Sequence, residues 1–328
     1  MQGIILSNET NALTLAELPK PTLKPGQCLV KLSAAALNRR DYWISVGKYP
    51  GIQPEVVLGS DGCGVVVDGP DTWKGKTVLI NPNVNWGASE QHQSSDYSVL
   101  GMPTQGTLAE YIAVDEDRLM QKPVHLSDEE GAALPLAGLT AFRATFVKAK
   151  VTAGKKVLVT GVGGGVSQMA AVMAIAAGAE VYVTSSSEDK LNKARKLGAT
   201  AGFNYQGAEW VKEAKSVGGF DAIVDSAGGN ALNDYLKLIK PGGKIVHYGS
   251  TTGKPQELDL FRLFWSQASI IGSTMGSDRE FEQMVAFVEE HQIRPAIDGV
   301  YALSSGVEAI ERMADSSQFG KTVIRMEA

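Results

Sequence analysis

Val157-Leu158-Val159-Thr160-Gly161-Val162-Gly163-Gly164-Gly165-Val166 decides the fold of this chain. The stretch reads as a short apolar strand, a glycine turn, and a helix running from about Val166 to Ala177. A parallel strand buried on both faces needs the continuous apolar run seen from Val157 to Val159. The glycines remove the Cβ atoms that would hold a backbone away from a pyrophosphate. The helix N-terminus adds free N–H groups and roughly half a positive charge. Alone, a G-x-G-x-x-G match carries little, and here Val166 stands at the third glycine position. The surroundings strengthen it: an Ala-rich helix follows, then Gly178 as a helix stop and a second apolar strand, Glu180 to Thr184. The reading is a dinucleotide-binding turn of a doubly wound fold, with Gly161, Gly163, Gly164, Gly165 and Val166 against the phosphates. A bare glycine loop between two buried elements is the plainer alternative.

Ser185 ends the second strand, twenty positions after Gly165. An acidic residue there would accept from a ribose 2′-OH. This chain has Ser185-Ser186-Ser187 followed by Lys190, hydroxyls and a cation suited to a 2′-phosphate. Glu188 and Asp189 read as helix-start residues, Glu188 forming a capping box with Ser185. The expected cofactor is therefore NADPH.

Length and composition set the outer bounds. At 328 residues the chain is expected to divide into two domains. Its 44% apolar and 20% charged residues are those of an ordinary globular protein. A net charge of −5 gives no broad basic face for nucleic acid or an anionic membrane. The longest apolar stretch, around Met169 to Ala179, is too short to span a bilayer, and the first residues lack the pattern of a signal peptide. Cys28 and Cys63 are too sparse for a disulfide framework and read as buried thiols. A cytoplasmic protein is expected.

The first part of the chain is rich in strands and turns. Leu29–Leu32, Gly64–Val67, Thr77–Ile80 and Tyr111–Val114 are strand candidates, punctuated by Pro19, Pro21, Pro25 and Pro50. The pattern predicts a partly open β-barrel. After Ser127 strands alternate with helices. The candidate strands beyond Thr184 are Ala201–Tyr205, Asp221–Asp225, Lys244–Tyr248 and Ser269–Gly272. Six such strands imply a parallel sheet with right-handed crossovers. From about Thr274 one amphipathic helix and a final strand, Thr322–Arg325, are expected to return to the first domain. The predicted division is 1–122 with 274–328, and 123–273.

Several landmarks together resemble the medium-chain dehydrogenase/reductase superfamily over essentially the whole chain. They are Pro25-Gly26, Asn38-Arg39-Arg40-Asp41, Leu58 to Gly64, Gly106 to Tyr111, Leu134 to Ala141, and the glycine turn. The resemblance implies a GroES-like catalytic domain joined to a Rossmann coenzyme domain. It is strongest to the zinc-free branch of quinone oxidoreductases and 2-alkenal or enone reductases. Zinc alcohol dehydrogenases of the superfamily carry a Cys ligand where this chain has Asn38. They carry Gly-His-Glu where it has Gly59-Ser60-Asp61. The stretch from Asn85 to Met102 has none of the four cysteines of a structural zinc lobe, and the four histidines are scattered. No metal is expected. Without a Lewis acid the chemistry turns toward conjugate reduction, in which hydride adds to a polarised C=C and donors hold the enolate oxygen.

The resemblance also supplies candidate residues. Asn38, Asp41 and Tyr42 are expected to face substrate or nicotinamide; as a second reading, Asn38 caps the following helix with Asp41 as its partner. Trp43, Tyr49 and Trp86 either wall an apolar substrate pocket or belong to the core. Thr140 lies in a segment that passes near the nicotinamide in relatives, or bonds its own helix backbone. Lys190 and Tyr205 match the spacing that relatives use at the 2′-phosphate. Ser226, Gly249, Ser250, Ser273, Thr274 and Met275 follow strand ends where doubly wound sheets bind ligands. Lys321 is a further cofactor candidate. The expected activity is NADPH-dependent, zinc-free reduction of quinones or α,β-unsaturated carbonyls. A carbonyl or alcohol oxidoreductase and a non-catalytic NADPH sensor are the alternatives. The last Rossmann strand, around Ile270, has neither charge nor proline to block pairing, so a homodimer through that edge is expected.

Overall fold

Six apolar runs become the parallel strands of one sheet: Lys156–Val159, Glu180–Ser185, Ala201–Asn204, Phe220–Asp225, Ile239–His247 and Ser269–Gly272. In space the first strand lies at the centre. The second and third extend to one side of it, and the fourth, fifth and sixth to the other. This is the doubly wound order, which places the strands' C-terminal ends along one rim. The chain reverses direction across the sheet between the first and fourth strands. The helices between the strands bury apolar faces on the sheet, as Gly165–Ala176 does with Met169, Ala170 and Met173. In this computed structural model residues 1–9 and 12–327 are described.

The other sheet is mostly antiparallel and seven-stranded. Its longest member, Gln27–Ala36, pairs with Tyr111–Asp115, Asp61–Asp68 and Lys321–Arg325. Thr77–Ile80, Leu119–Gln121 and Ile297–Ala302 complete it. Buried Val30, Leu32, Val66, Val78, Ile112 and Ile324 fill the interior of this partly open barrel. The motif glycines are steric here: a Cβ on Gly106 would stand 2.2 Å from the Gly59 carbonyl oxygen.

The two compact units are Met1–Ala137 with Ser277–Ala328, and Gly138–Gly276. The division at 122/123 expected from the pattern change thus moves to 137/138. The helix Asp128–Ala133 explains the shift. It buries Gly131, Ala132 and Ala133, and Gly131 sits against Cys63 and Leu79 of the barrel strands. The second boundary moves from Thr274 to Ser277, because Met275 is buried beside Thr140 in the Rossmann unit. No helix among the described residues is long and apolar enough to cross a membrane.

Candidate active site

Strand register brings three distant polar residues together in the first unit. Ala36 pairs with Val323 of one neighbouring strand and with Asp61 of the other. Counting along the antiparallel ladder puts Lys321 across from Asn38. Lys321 Nζ donates to Asn38 Oδ1 at 2.6 Å and to Asp61 Oδ2 at 2.9 Å. Asn38 Nδ2 donates to the same Asp61 oxygen at 2.9 Å. The other carboxylate oxygen, Asp61 Oδ1, accepts the Leu136 backbone N–H at 2.7 Å. All three side chains are buried. Two charges are tolerated in such a place because they are paired and supported by hydrogen bonds to Asn38 and the Leu136 N–H.

Asn38 has the extended backbone of an N-cap for the helix Arg39–Ser45. Its side chain is committed elsewhere, to Lys321 and Asp61, with a longer approach of 3.5 Å to the Ala36 carbonyl. The return half of the capping box does form, Asn38 N–H donating to Asp41 Oδ2 at 2.8 Å. Asp41 is fully buried and its Oδ1 has no partner. Burial pushes this carboxyl above the ordinary value, against the opposing pull of Arg40 and the Asn38 N–H. Arg40 is buried as well. Its hydrogen bonds run to Tyr49 Oη at 3.2 Å, Ser60 Oγ at 2.5 Å, Met102 O at 3.1 Å, Val99 O at 3.4 Å and Leu100 O. Every acceptor is uncharged.

The aromatic candidates divide. Tyr42 and Trp43 are half-buried, their rings tilted together at 5.2 Å, and Tyr49 is half-buried beneath the Arg40 guanidinium. Trp86 is core: it is 2% exposed, donates its indole N–H to Ser89 O at 2.9 Å and packs edge-on against Tyr97.

In the second unit the glycine turn follows the central strand. Gly161 has φ +60° and open space where a Cβ would project. The helix beyond it, Gly165–Ala176, has Gly164 as N-cap, so no side chain satisfies its first N–H groups. These residues fit the phosphates of a dinucleotide. Along the same rim Ser185 is register-paired with Asn204, so Tyr205 and the Ser185–Ser187 turn are neighbours. Lys190 lies one turn into the next helix. That helix is capped by Ser187, whose Oγ accepts the Lys190 N–H at 3.4 Å, which corrects the capping box expected of Ser185 and Glu188. Ser185 is buried instead, with Oγ accepting the Ser187 N–H at 3.2 Å. Ser186 stands exposed beside it.

The remaining candidates close the rim. Gly249 approaches Ser226, a Cβ there standing 3.1 Å from the Ser226 carbonyl, while Ser250 is exposed. Thr140 Oγ1 lies 3.6 Å from Met275 Sδ. Ser273 Oγ is buried without a partner, and Thr274 is exposed. Lys321 lies in the first unit, joined to Asn38 and Asp61.

One cluster in this unit escaped the sequence reading. Asp225 is fully buried and accepts from Thr160 Oγ1 at 2.5 Å, Tyr235 Oη at 2.9 Å, Gly228 N at 2.9 Å and His247 Nδ1 at 2.9 Å. Burial raises this carboxyl, and the four hydrogen bonds outweigh it and hold it below the ordinary value. His247 is thus the end of a strand tied to a buried acid. An Asp closing one apolar strand and a His closing the next was the available signal.

Zinc does not fit the first-unit cluster. Where ligands would be required stand an amide, a serine hydroxyl held by Arg40, and a carboxylate already bonded to an ammonium. A divalent cation on Asp61 would face the Lys321 charge at contact distance, and zinc prefers thiolate, imidazole and free carboxylate.

Residues 24–124 match the alcohol dehydrogenase GroES-like domain, and residues 165–290 the zinc-binding dehydrogenase domain. The chain is 36% identical over 339 residues to a zinc-type alcohol dehydrogenase-like protein of Leptosphaeria maculans, covering 96% of this chain and 94% of that one. It is 29% identical to a crotonyl-CoA reductase of Streptomyces avermitilis over 91% of this chain and 78% of the relative. A crystal structure of an NAD-dependent alcohol dehydrogenase superposes with a TM-score of 0.94 and 35% identity, covering 100% of both chains. The chain belongs to the medium-chain dehydrogenase/reductase superfamily. Within it, the protein is an oxidoreductase.

Proposed function

We propose that the protein is an NADPH-dependent, metal-independent reductase of quinones or α,β-unsaturated carbonyls. The observation that carries this reading is the Lys321–Asp61 ion pair standing where the zinc enzymes of the superfamily need ligands. Alcohol oxidation would then lack the Lewis acid that assists alkoxide formation. Reduction of a polarised C=C asks less of the site: a hydride acceptor at the β-carbon and donors for the developing enolate oxygen. When bound, the reduced nicotinamide would supply the hydride. The turn from Gly161 to Val166 would hold its phosphates. Ser185, Ser186, Lys190 and Tyr205 would meet a 2′-phosphate, and Thr140, Ser226, Gly249, Ser250, Ser273, Thr274 and Met275 would line the remainder. Asn38, Asp41, Tyr42, Trp43 and Tyr49 would border the substrate. The crotonyl-CoA reductase relative, whose name describes reduction of a conjugated thioester, supports this direction.

A second reading, a zinc-free carbonyl or alcohol oxidoreductase, is favoured by the 35% identical neighbour named as an NAD-dependent alcohol dehydrogenase. NADPH and NADH consumption with quinones, enals and simple aldehydes, after prolonged chelation and metal analysis, separates the two. The proposal expects turnover of quinones or enals by metal-free protein. Activity confined to aldehydes and NADH, or restored only by zinc, would sink it. Lys190→Ala should weaken NADPH by about 10–100-fold and leave NADH nearly unchanged, the worth of one charge-assisted contact.

We also propose a homodimer. The Ser269–Gly272 strand is the sheet's edge and is largely exposed. The neighbouring helix Leu260–Trp265 presents Phe261 stacked on Trp265, itself 74% exposed. An open edge beside exposed aromatics supports two-fold strand pairing. Ile270→Lys should turn a dimer into a monomer in sedimentation velocity, and a wild-type monomer at high concentration would rule the pairing out.

A further inference from the structure

The first-unit cluster holds a buried cation whose bonding is incomplete. A lysine ammonium carries three N–H groups. In Lys321 one goes to Asn38 Oδ1 and one to Asp61 Oδ2. Its companions offer nothing further. Asp61 has both oxygens occupied and no exposure, and Asn38 has its oxygen on Lys321 and its nitrogen on Asp61 and Ala36. The trio retains 8% exposure on Asn38 and 4% on Lys321, and none on Asp61.

Stability does not explain the pair. Replacing a buried ion pair with apolar residues of similar volume is commonly neutral or stabilising. The local charge balance also points outward. Arg40 is buried with uncharged acceptors only, so Asp61 is left to answer Lys321, and the Asp41 carboxyl is shifted toward its neutral form. A fixed ammonium with an N–H to spare is an arrangement that favours negative charge developing on a bound molecule.

We propose that Lys321 is a catalytic residue that donates its remaining N–H to the substrate carbonyl oxygen and stabilises the negative charge forming there. Asp61 and Asn38 are its positioning residues: they fix the ammonium so that no reorganisation is needed as the charge builds. The ligand class is an oxygen that becomes anionic, the carbonyl of an enal, enone or quinone. This assignment deepens the reductase reading and rests on it for the reaction, while the oxyanion site itself can be measured without turnover.

The test uses the full-length protein and 4-nitrophenolate, an oxyanion followed by its own absorbance. The main variant is Lys321→Met combined with Asp61→Asn, which leaves neither charge unpaired. Relative to wild type it should keep its NADPH dissociation constant within about 2-fold, bind 4-nitrophenolate about 10–100-fold more weakly and lose kcat by a similar or larger factor. Lys321→Gln, which keeps a neutral donor to Asp61, should show the same direction of loss and serves if the double variant fails to fold. Lys321→Arg should recover part of both signals. Wild-type protein that does not bind 4-nitrophenolate, or variants that bind it as tightly, would overturn the assignment. Lys321-dependent binding without turnover of any quinone or enal would overturn the reductase reading and leave the oxyanion site standing. Turnover that is insensitive to Lys321 would do the reverse.

Discussion

Asp61 and Asp225 are fully buried carboxylates, one in each unit, and they are satisfied in opposite ways. Asp61 answers a full charge, the Lys321 ammonium, with one amide and one backbone N–H in support. Asp225 gathers a threonine, a tyrosine, a backbone N–H and a histidine, and has no lysine or arginine beside it. The second arrangement ties together the ends of the central, fourth and fifth strands of the sheet. A network of hydrogen-bond donors without lysine or arginine suffices to hold a rim in place. The first arrangement holds a cation, and a fixed cation is useful where negative charge must form. The comparison teaches that equal burial can be met by neutral and histidine donors in one unit and by a buried ammonium in the other.

Three substitutions strain this contrast, and the largest effect belongs to the charged pair. Asp61→Leu alone strands a buried ammonium and should cost about 3–5 kcal/mol in guanidinium denaturation. Adding Lys321→Met should return most of that loss. A double variant no more stable than the single one would mean that Asp61 acts through something other than the charge of Lys321.

Asp225→Asn comes next. It replaces charge-assisted hydrogen bonds by neutral ones and should cost about 1.5–3 kcal/mol near neutral pH. The pH dependence has a definite sign. Because the folded-state value lies below the unfolded value of 3.8, the contribution of Asp225 is complete above 3.8 and is lost as pH falls through the lower folded value. The variant should therefore show a flatter acid limb than wild type; an unchanged limb would remove Asp225 from the balance.

Asp41→Asn is the smallest and has the opposite sign. A raised carboxyl favours folding below the unfolded value, and that advantage fades as pH rises through the folded value. An amide in its place should change stability by only about 1 kcal/mol at pH 7 and abolish the decline above pH 4. A large loss at neutral pH would show that the ionised form of Asp41 is needed.

How much of this was legible beforehand differs between the units. The Rossmann unit announces itself locally: apolar runs at strand length, a glycine turn, helix stops. Its strands Ser269–Gly272 and Phe220–Asp225 fall within a residue of where the pattern puts them. Its glycine turn and the Ser185–Ser187 turn with Lys190 lie within short segments, so neighbouring residues in sequence are neighbours in space. Asp225 and His247, 22 residues apart, needed the parallel pairing of two strands to meet. The Asn38–Asp61–Lys321 cluster is less local still. Lys321 reaches Asp61 across 260 residues and Asn38 across 283. Residue types at these positions, an amide and a carboxylate in place of zinc ligands, were visible in the sequence, and they argued against a metal. What stands there instead was not visible, because hydrophobic periodicity reports only which face of an element is buried. The antiparallel register around Ala36 decided that a lysine from the chain's last strand would fill the place. The sequence by itself determined the two kinds of sheet and the dinucleotide turn, through patterns only a few residues long. The tertiary structure alone decided which charges meet, because strand pairing joins residues that no local pattern connects.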